Sequence, residues 1–211
     1  MDRARIETFS SHRRWLVVLI GAWCVVVAGG FMVLTDYGYA AAPVTPAPHT
    51  LASINKSVDG WTLRVFAHPH CPCTRATIRE IDRAMTTLRD ELQVQVVVYI
   101  PDSEPESWAD GSTVSAVRRI PNSTIMFDRS GRMTRDHGVV ASGHAMLVSP
   151  DNAVVFSGGV TASRGHEGAS VGTRAIRNWV QAGAGAASAP VFGCAILGPD
   201  DGQNSDSETQ P

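Results

Sequence analysis

Two of the four cysteines in this 211-residue chain, Cys71 and Cys73, are separated by a single proline. In Phe66-Ala-His-Pro-His-Cys-Pro-Cys-Thr-Arg-Ala76 they follow strand-forming residues and precede an amphipathic stretch, so the pair falls where a strand gives way to a helix. A helix start offers unpaired backbone N–H groups and the positive end of the macrodipole. Both favour a thiolate and lower its pKa below the free value of about 8.5. The chemistry expected there is attack on a disulfide, with either Cys71 or Cys73 as nucleophile. A bond between the two would close a very small ring, strained and easily reduced. It would restrain the unfolded chain hardly at all, which argues against a structural bridge. Cys194, in Ala189-Pro-Val-Phe-Gly-Cys194, adds an odd third thiol. It is either a resolving partner for Cys71 or Cys73, a bond to another protein, or a packed side chain.

Other side chains are candidates for tuning that sulfur. Arg164 lies in the glycine-rich stretch Ser157 to Gly168 with His166 and Glu167. Arg164 can stabilise a thiolate, whereas Glu167 reads as a cap for a following helix. His68 and His70 flank Pro69 and either sit in a solvated turn or adjust the thiolate. The alternative, from a different class, is a metal-binding module. His68, His70, Cys71, Cys73, His144 and Cys194 are soft or borderline ligands that could converge on copper or zinc. The leading reading needs no cofactor. Trp61 and Trp108 read as core or rim. A net charge of −2 provides no basic field for phosphates, so a nucleic-acid partner is not expected.

The elements that must position these groups are legible. Trp61 to Ala67 and Gln93 to Ile100 are rich in β-formers and read as strands. Between them Ile78, Ile81, Met85, Leu88 and Leu92 recur at helical steps, with Thr74 or Thr77 as cap and Glu80 completing a capping box. A strand–helix–strand unit in one sheet implies a parallel pair with a right-handed crossover. Ser123 to Phe127 reads as another strand. His144 to Ser149 and Ala153 to Ser157 form a hairpin around Pro150-Asp151-Asn152, and Ala169 to Ala182 is a closing helix. This order predicts an α/β fold with a mixed sheet.

The motif Phe-Ala-His-Pro-His before Cys71-Pro72, at a helix start, resembles the redox site of exported thioredoxin-like proteins of the TlpA and peroxiredoxin-related kind. Residues 137–152 (HGVVASGHAMLVSPDN) resemble the family segment that precedes a strand and an Asp-x-Asp-Gly-like turn. The resemblance covers most of residues 58–182 and implies a thioredoxin-like three-layer sandwich, with protein thiols or disulfides as partners. It also implies that His144 faces the cysteines. The chain departs from the family in having Cys-Pro-Cys-Thr instead of Cys-x-x-Cys, and Ser142-Gly143-His144 where a cis-proline is usual. The site residues expected are Cys71, Cys73, Cys194, His144 and Arg164. A thiol peroxidase is the third alternative, although the Pro-x-x-x-Thr/Ser-x-x-Cys approach of peroxiredoxins is missing.

The expected organisation starts with a cytoplasmic N-terminus at 1–14 and a transmembrane helix at 15–34. That run, Trp15 to Leu34, is twenty uncharged residues, enough to span a bilayer. Arg3, Arg5, Arg13 and Arg14 precede it and no lysine or arginine follows before Lys56, so the remainder is expected on the periplasmic or extracellular side. Ala40-Ala41-Ala42 offers a cleavage site, but the apolar run is longer than a signal h-region, which predicts an uncleaved anchor. A Pro/Ala-rich linker at 35–51 then leads to the domain at 52–182, a C-terminal segment at 183–198 holding Cys194, and a disordered tail at 199–211.

Overall fold

The computed structural model describes residues 3–43 and 60–198, with side chains from residue 13. The tail at 199–211 and residues 44–51 of the expected linker lie outside the described residues. Two compact units result, residues 1–40 and 41–211.

The first unit is one helix, α1 (Arg3–Tyr39). Its stretch Arg13–Tyr39, 27 residues with none of its most apolar window buried, is long and apolar enough to cross a membrane. The helix continues past the expected end at Leu34, and Thr35 returns its hydroxyl to the Phe31 carbonyl at 2.8 Å. The linker therefore does not begin at 35.

The second unit is built on a six-stranded mixed sheet of order β3-β2-β1-β4-β5-β6. Strand β1 (Trp61–Ala67) lies at its centre, parallel to β2 (Leu92–Ile100), which is parallel to β3 (Ser123–Arg129). On the other side β4 (His144–Val148) runs antiparallel to β1 and forms the expected hairpin with β5 (Val154–Gly159). Helix α2 (Pro72–Leu88) makes the crossover between β1 and β2. Leu92, expected at the end of the helical stripe, instead opens β2 opposite Trp61; the turn after Leu88 ends the helix first.

Alternation along β1 sets the two layers. Leu63, Val65 and Ala67 face a core filled by Ile78, Ile81, Met85 and Leu88 of α2, by Val114 and Val117 of α3 (Ser112–Val117), and by Ala175, Ile176 and Val180 of α5 (Val171–Ala182). Burying such side chains contributes roughly 1.5–3 kcal/mol each before entropy is counted. On the opposite face Phe66 packs with Val97, Tyr99, Val139, Met146 and Ile196. This second outer layer is thin: the short α4 (Arg132–Asp136) and the extended C-terminal segment.

The sequence places that segment, 183–198, after the domain. Instead Ser188 and Ala189 form β6, parallel to β5. Ala42 bridges Val191, and Ala141 bridges Ala195. Residues 188–197 thus complete the fold, because the phenylalanine and aliphatic residues between the small ones need a surface to bury against: Val191, Ile196 and Phe192 are all buried.

Candidate functional site: three thiols at the start of α2

The N-cap of α2 is Cys71, with extended backbone (φ −76°, ψ 118°), and Pro72 occupies the first turn, where its missing N–H costs no hydrogen bond. The cap is therefore neither Thr74 nor Thr77. Thr77 is buried within the helix, and Glu80 pairs with Arg83 and accepts from the Gly168 amide. The turn leading in is held by the Cys71 amide donating to the His68 carbonyl at 3.1 Å.

Ser142 fastens this turn to the rest of the site. Its hydroxyl accepts from the His68 amide at 2.7 Å and lies 2.5 Å from the Thr74 hydroxyl. Its own amide donates to the Cys194 carbonyl at 2.9 Å. Two glycines make this approach possible. Gly143 has φ +90°, and its amide donates to the Phe66 carbonyl at 2.7 Å. At Gly193 a Cβ would lie 1.8 Å from the Ser142 carbonyl oxygen, so only glycine lets the C-terminal segment come this close.

The result is a cluster of three sulfurs, all within 4.8 Å of one another: Cys71, Cys73 and Cys194. Cys71 is buried, the other two are half-buried, and all are free thiols. The shortest approach is between Cys71 and Cys194, Sγ to Sγ 2.9 Å, across 123 positions of sequence. Proximity thus favours Cys194 over Cys73 as the partner of Cys71.

The electrostatics separate the three. Burial pushes the Cys71 thiol up, but hydrogen bonds from the Cys194 side chain and amide and from the Thr74 hydroxyl and amide outweigh it, leaving a value of about 7. Cys194 is raised to about 12, by burial first and then by its hydrogen bond to Cys71 and that neighbour's charge. Cys73 is raised by burial and the charge on Cys71, partly opposed by Cys194 and Arg164. Of the two, Cys71 therefore ionises first, and the Cys194 thiol then donates to the Cys71 thiolate. A helix start alone would act through peptide amides; here a thiol and a threonine hydroxyl add to them.

Arg164 belongs to this neighbourhood, donating to the Gly193 carbonyl beside Cys194. His144 takes a different position from the one expected. It opens β4 opposite Phe66, is buried, and its Nε2 lies 2.8 Å from the Ser157 hydroxyl. Burial holds it down to about 4, so it is neutral and engaged with β5, not with the cysteines. Among the described residues no histidine joins the three-sulfur group. This corrects the six-ligand set: His68 stacks on Tyr99 at 5.6 Å and His70 meets Trp108 edge-on at 4.4 Å. Glu167 does not cap α5, whose capping box is Ser170 with Thr173; it pairs with Arg79 and Arg83 of α2.

Sequence reasoning named Ser142, Thr74 and Trp108 but gave none of them its contacts at the site, although Trp108 does pack at the rim of the core as expected. Ser142 and Thr74 carry no spacing signal, since their meeting is made by the β1–β4 register. Trp108 sits in an aperiodic link and appears as a neighbour of the histidines only once Tyr99 is placed beside them.

A central β1–α2–β2 unit extended by β3, an antiparallel hairpin and a closing helix, with thiols at the first strand–helix junction, define a thioredoxin-like fold. Among solved structures the chain is similar to a hypothetical protein from Sinorhizobium meliloti 1021, at 16% identity and TM-score 0.57, over 74% of this chain and 96% of that one. It is also similar to an uncharacterized conserved protein from Geobacillus kaustophilus, at 16% identity and TM-score 0.55, over 76% and 93%. A secreted Mycobacterium tuberculosis disulfide oxidoreductase homologous to E. coli DsbE overlays at 15% identity over 65% and 95%, but its TM-score of 0.41 is too low to add to the argument. At such identities the likeness is one of fold. No protein-family model and no curated protein matches the chain.

Proposed function

We propose that this is a membrane-anchored, extracytoplasmic thiol–disulfide exchange protein, related to the TlpA type but working through a Cys-Pro-Cys-Thr core, with Cys71 as nucleophile and Cys194 as resolving thiol. The observation that carries the reading is the Cys71 sulfur at the cap of α2, 2.9 Å from that of Cys194. The thiolate attacks one sulfur of a partner's disulfide, forming a mixed disulfide and releasing the other partner sulfur as a thiolate. Cys194 then attacks the Cys71 sulfur. A Cys71–Cys194 bond forms, the mixed bond breaks, and the partner leaves with two thiols, so two electrons have passed from this chain to the partner. Run backwards, the same steps oxidise a partner dithiol.

The pKa order supports the sequence of events. Cys194 is held protonated partly by the charge on Cys71. Once Cys71 is tied up in the mixed disulfide that charge is gone, so Cys194 ionises more readily at the stage where it must attack. The arginines in the N-terminal part of α1, ahead of its apolar run, and the length of that run support an anchor with a cytoplasmic N-terminus and the domain outside.

The test is a trapping experiment with the full chain and a disulfide substrate. Cys194→Ser should accumulate the mixed disulfide at Cys71, and Cys71→Ser should form none. Full exchange activity in Cys71→Ser would reject the assignment.

A further inference from the structure

We infer that the reduced site is also a metal site, in which Cys71, Cys73 and Cys194 bind one soft monovalent cation, Cu(I), through three sulfurs. The inference goes beyond the exchange reaction, because it uses the third sulfur, for which that reaction has no need.

The argument is geometric. Three sulfurs from two distant parts of the chain lie within 4.8 Å of one another. With metal–sulfur bonds of about 2.3 Å, three sulfurs around a planar centre sit about 4 Å apart. The trio approximates that triangle once the 2.9 Å contact between Cys71 and Cys194 opens by about 1 Å, a movement within reach of side-chain rotation. Their frame is otherwise fixed. Cys71 and Cys73 stand on the first turn of a 17-residue helix, and Cys194 is held through its carbonyl by the Ser142 amide.

The donor set selects the metal. All three donors are soft sulfurs, the type that favours Cu(I). Structural zinc asks for four ligands, and among the described residues no histidine, aspartate or glutamate joins the group. The Arg164 guanidinium on the Gly193 carbonyl brings positive charge beside Cys194, which suits an anionic copper–thiolate centre. Binding releases the protons of the ligating thiols to solvent and moves no electron. Exchange with a partner's disulfide takes two electrons and two protons from Cys71 and Cys194 and removes two of the three donors. Metal binding and the oxidised state therefore exclude each other.

The test uses the full chain in detergent, with Cys24→Ser so that the helix thiol cannot contribute. The reduced protein is titrated anaerobically with Cu(I) supplied as its acetonitrile complex, against a chromophoric Cu(I) chelator. X-ray absorption then counts the sulfurs. Expected are one Cu(I) per chain with three sulfur neighbours, no uptake after oxidation, and affinity at least about 100-fold weaker in Cys73→Ser, more than loss of an outer-shell partner costs. Coordination by two sulfurs, an unchanged affinity in Cys73→Ser, or a preference for Zn(II) in parallel titration would overturn the inference. The sulfur count on unsubstituted sites does not depend on how the variant folds. Exchange activity is read separately: a chain that exchanges disulfides but takes up no Cu(I) refutes the metal site alone, and the converse refutes the exchange reading alone.

Discussion

The proton balance between Cys71 and Cys194 can be read directly from the pH dependence of alkylation. A thiol with a pKa of about 7 is about 9% ionised at pH 6 and about 91% at pH 8, so its reaction with iodoacetamide should quicken about tenfold over that range. A thiol with a pKa of 9.0 would quicken about ninetyfold over the same two units. At pH 7 the Cys71 thiolate fraction exceeds that of such a thiol about 50-fold. Its lower intrinsic nucleophilicity, with a Brønsted slope of about 0.45, trims the rate advantage to about sixfold. Peptide-resolved mass spectrometry after timed labelling separates Cys71 from Cys73 and Cys194 in one sample. Cys194→Ala removes the thiol donor but keeps the Cys194 amide, so the pH 6 to 8 ratio for Cys71 should rise above tenfold without reaching ninetyfold. A ratio near ninety in the unsubstituted chain, or labelling of Cys194 ahead of Cys71, would refute the reasoning.

Three further outcomes follow from the packing. Gly193→Ala forces a Cβ into the Ser142 carbonyl and should displace Cys194, so a mixed disulfide should accumulate at Cys71 on non-reducing gels, as in Cys194→Ser. His144 takes up a proton near 6.5 when unfolded but only near 4 when folded. The unfolded state therefore binds more protons between those values, and stability falls as pH falls through that window, by about 3 kcal/mol in full. Urea melts at pH 7 and pH 4.5 should show a smaller loss for His144→Asn than for the parent. Arg64 is 1% exposed, bonds to the neutral side chains of Gln95 and His137, and leaves its Nε unpaired; burial lowers its pKa to about 10. Arg64→Met removes a desolvated charge that pairs with no acid among the described residues and should stabilise the domain by about 1–3 kcal/mol in thermal or urea melts.

What could be read from the sequence was local. Strand β1 matches its expected bounds because Trp61 to Ala67 is both β-rich and alternating, and α2 was visible through its apolar stripe. Helix α3 was not, since six residues carry too little periodicity to stand out. Strand β6 was hidden because two small residues qualify as strand only through the neighbour they pair with. The same limit governed the site. Cys71 and Cys73 announced themselves by spacing, whereas the approach of Cys194 depends on a segment laid along residues 140–142, which no local pattern encodes. His144 was misplaced for a related reason: the aligned segment gave its position along the chain, but the strand pairing turns its ring to Ser157.

The Cys71 sulfur and its principal proton donor touch in space but come from positions 123 residues apart in the sequence. A ribosome therefore delivers the CPC motif more than a hundred residues before the group that tunes it. Until residues 191–197 dock, the early sulfur lacks the Cys194 donors and remains closer to an ordinary thiol. A chain still being synthesised is thus shielded from premature cross-linking, and the full reactivity of Cys71 comes only with completion of the fold.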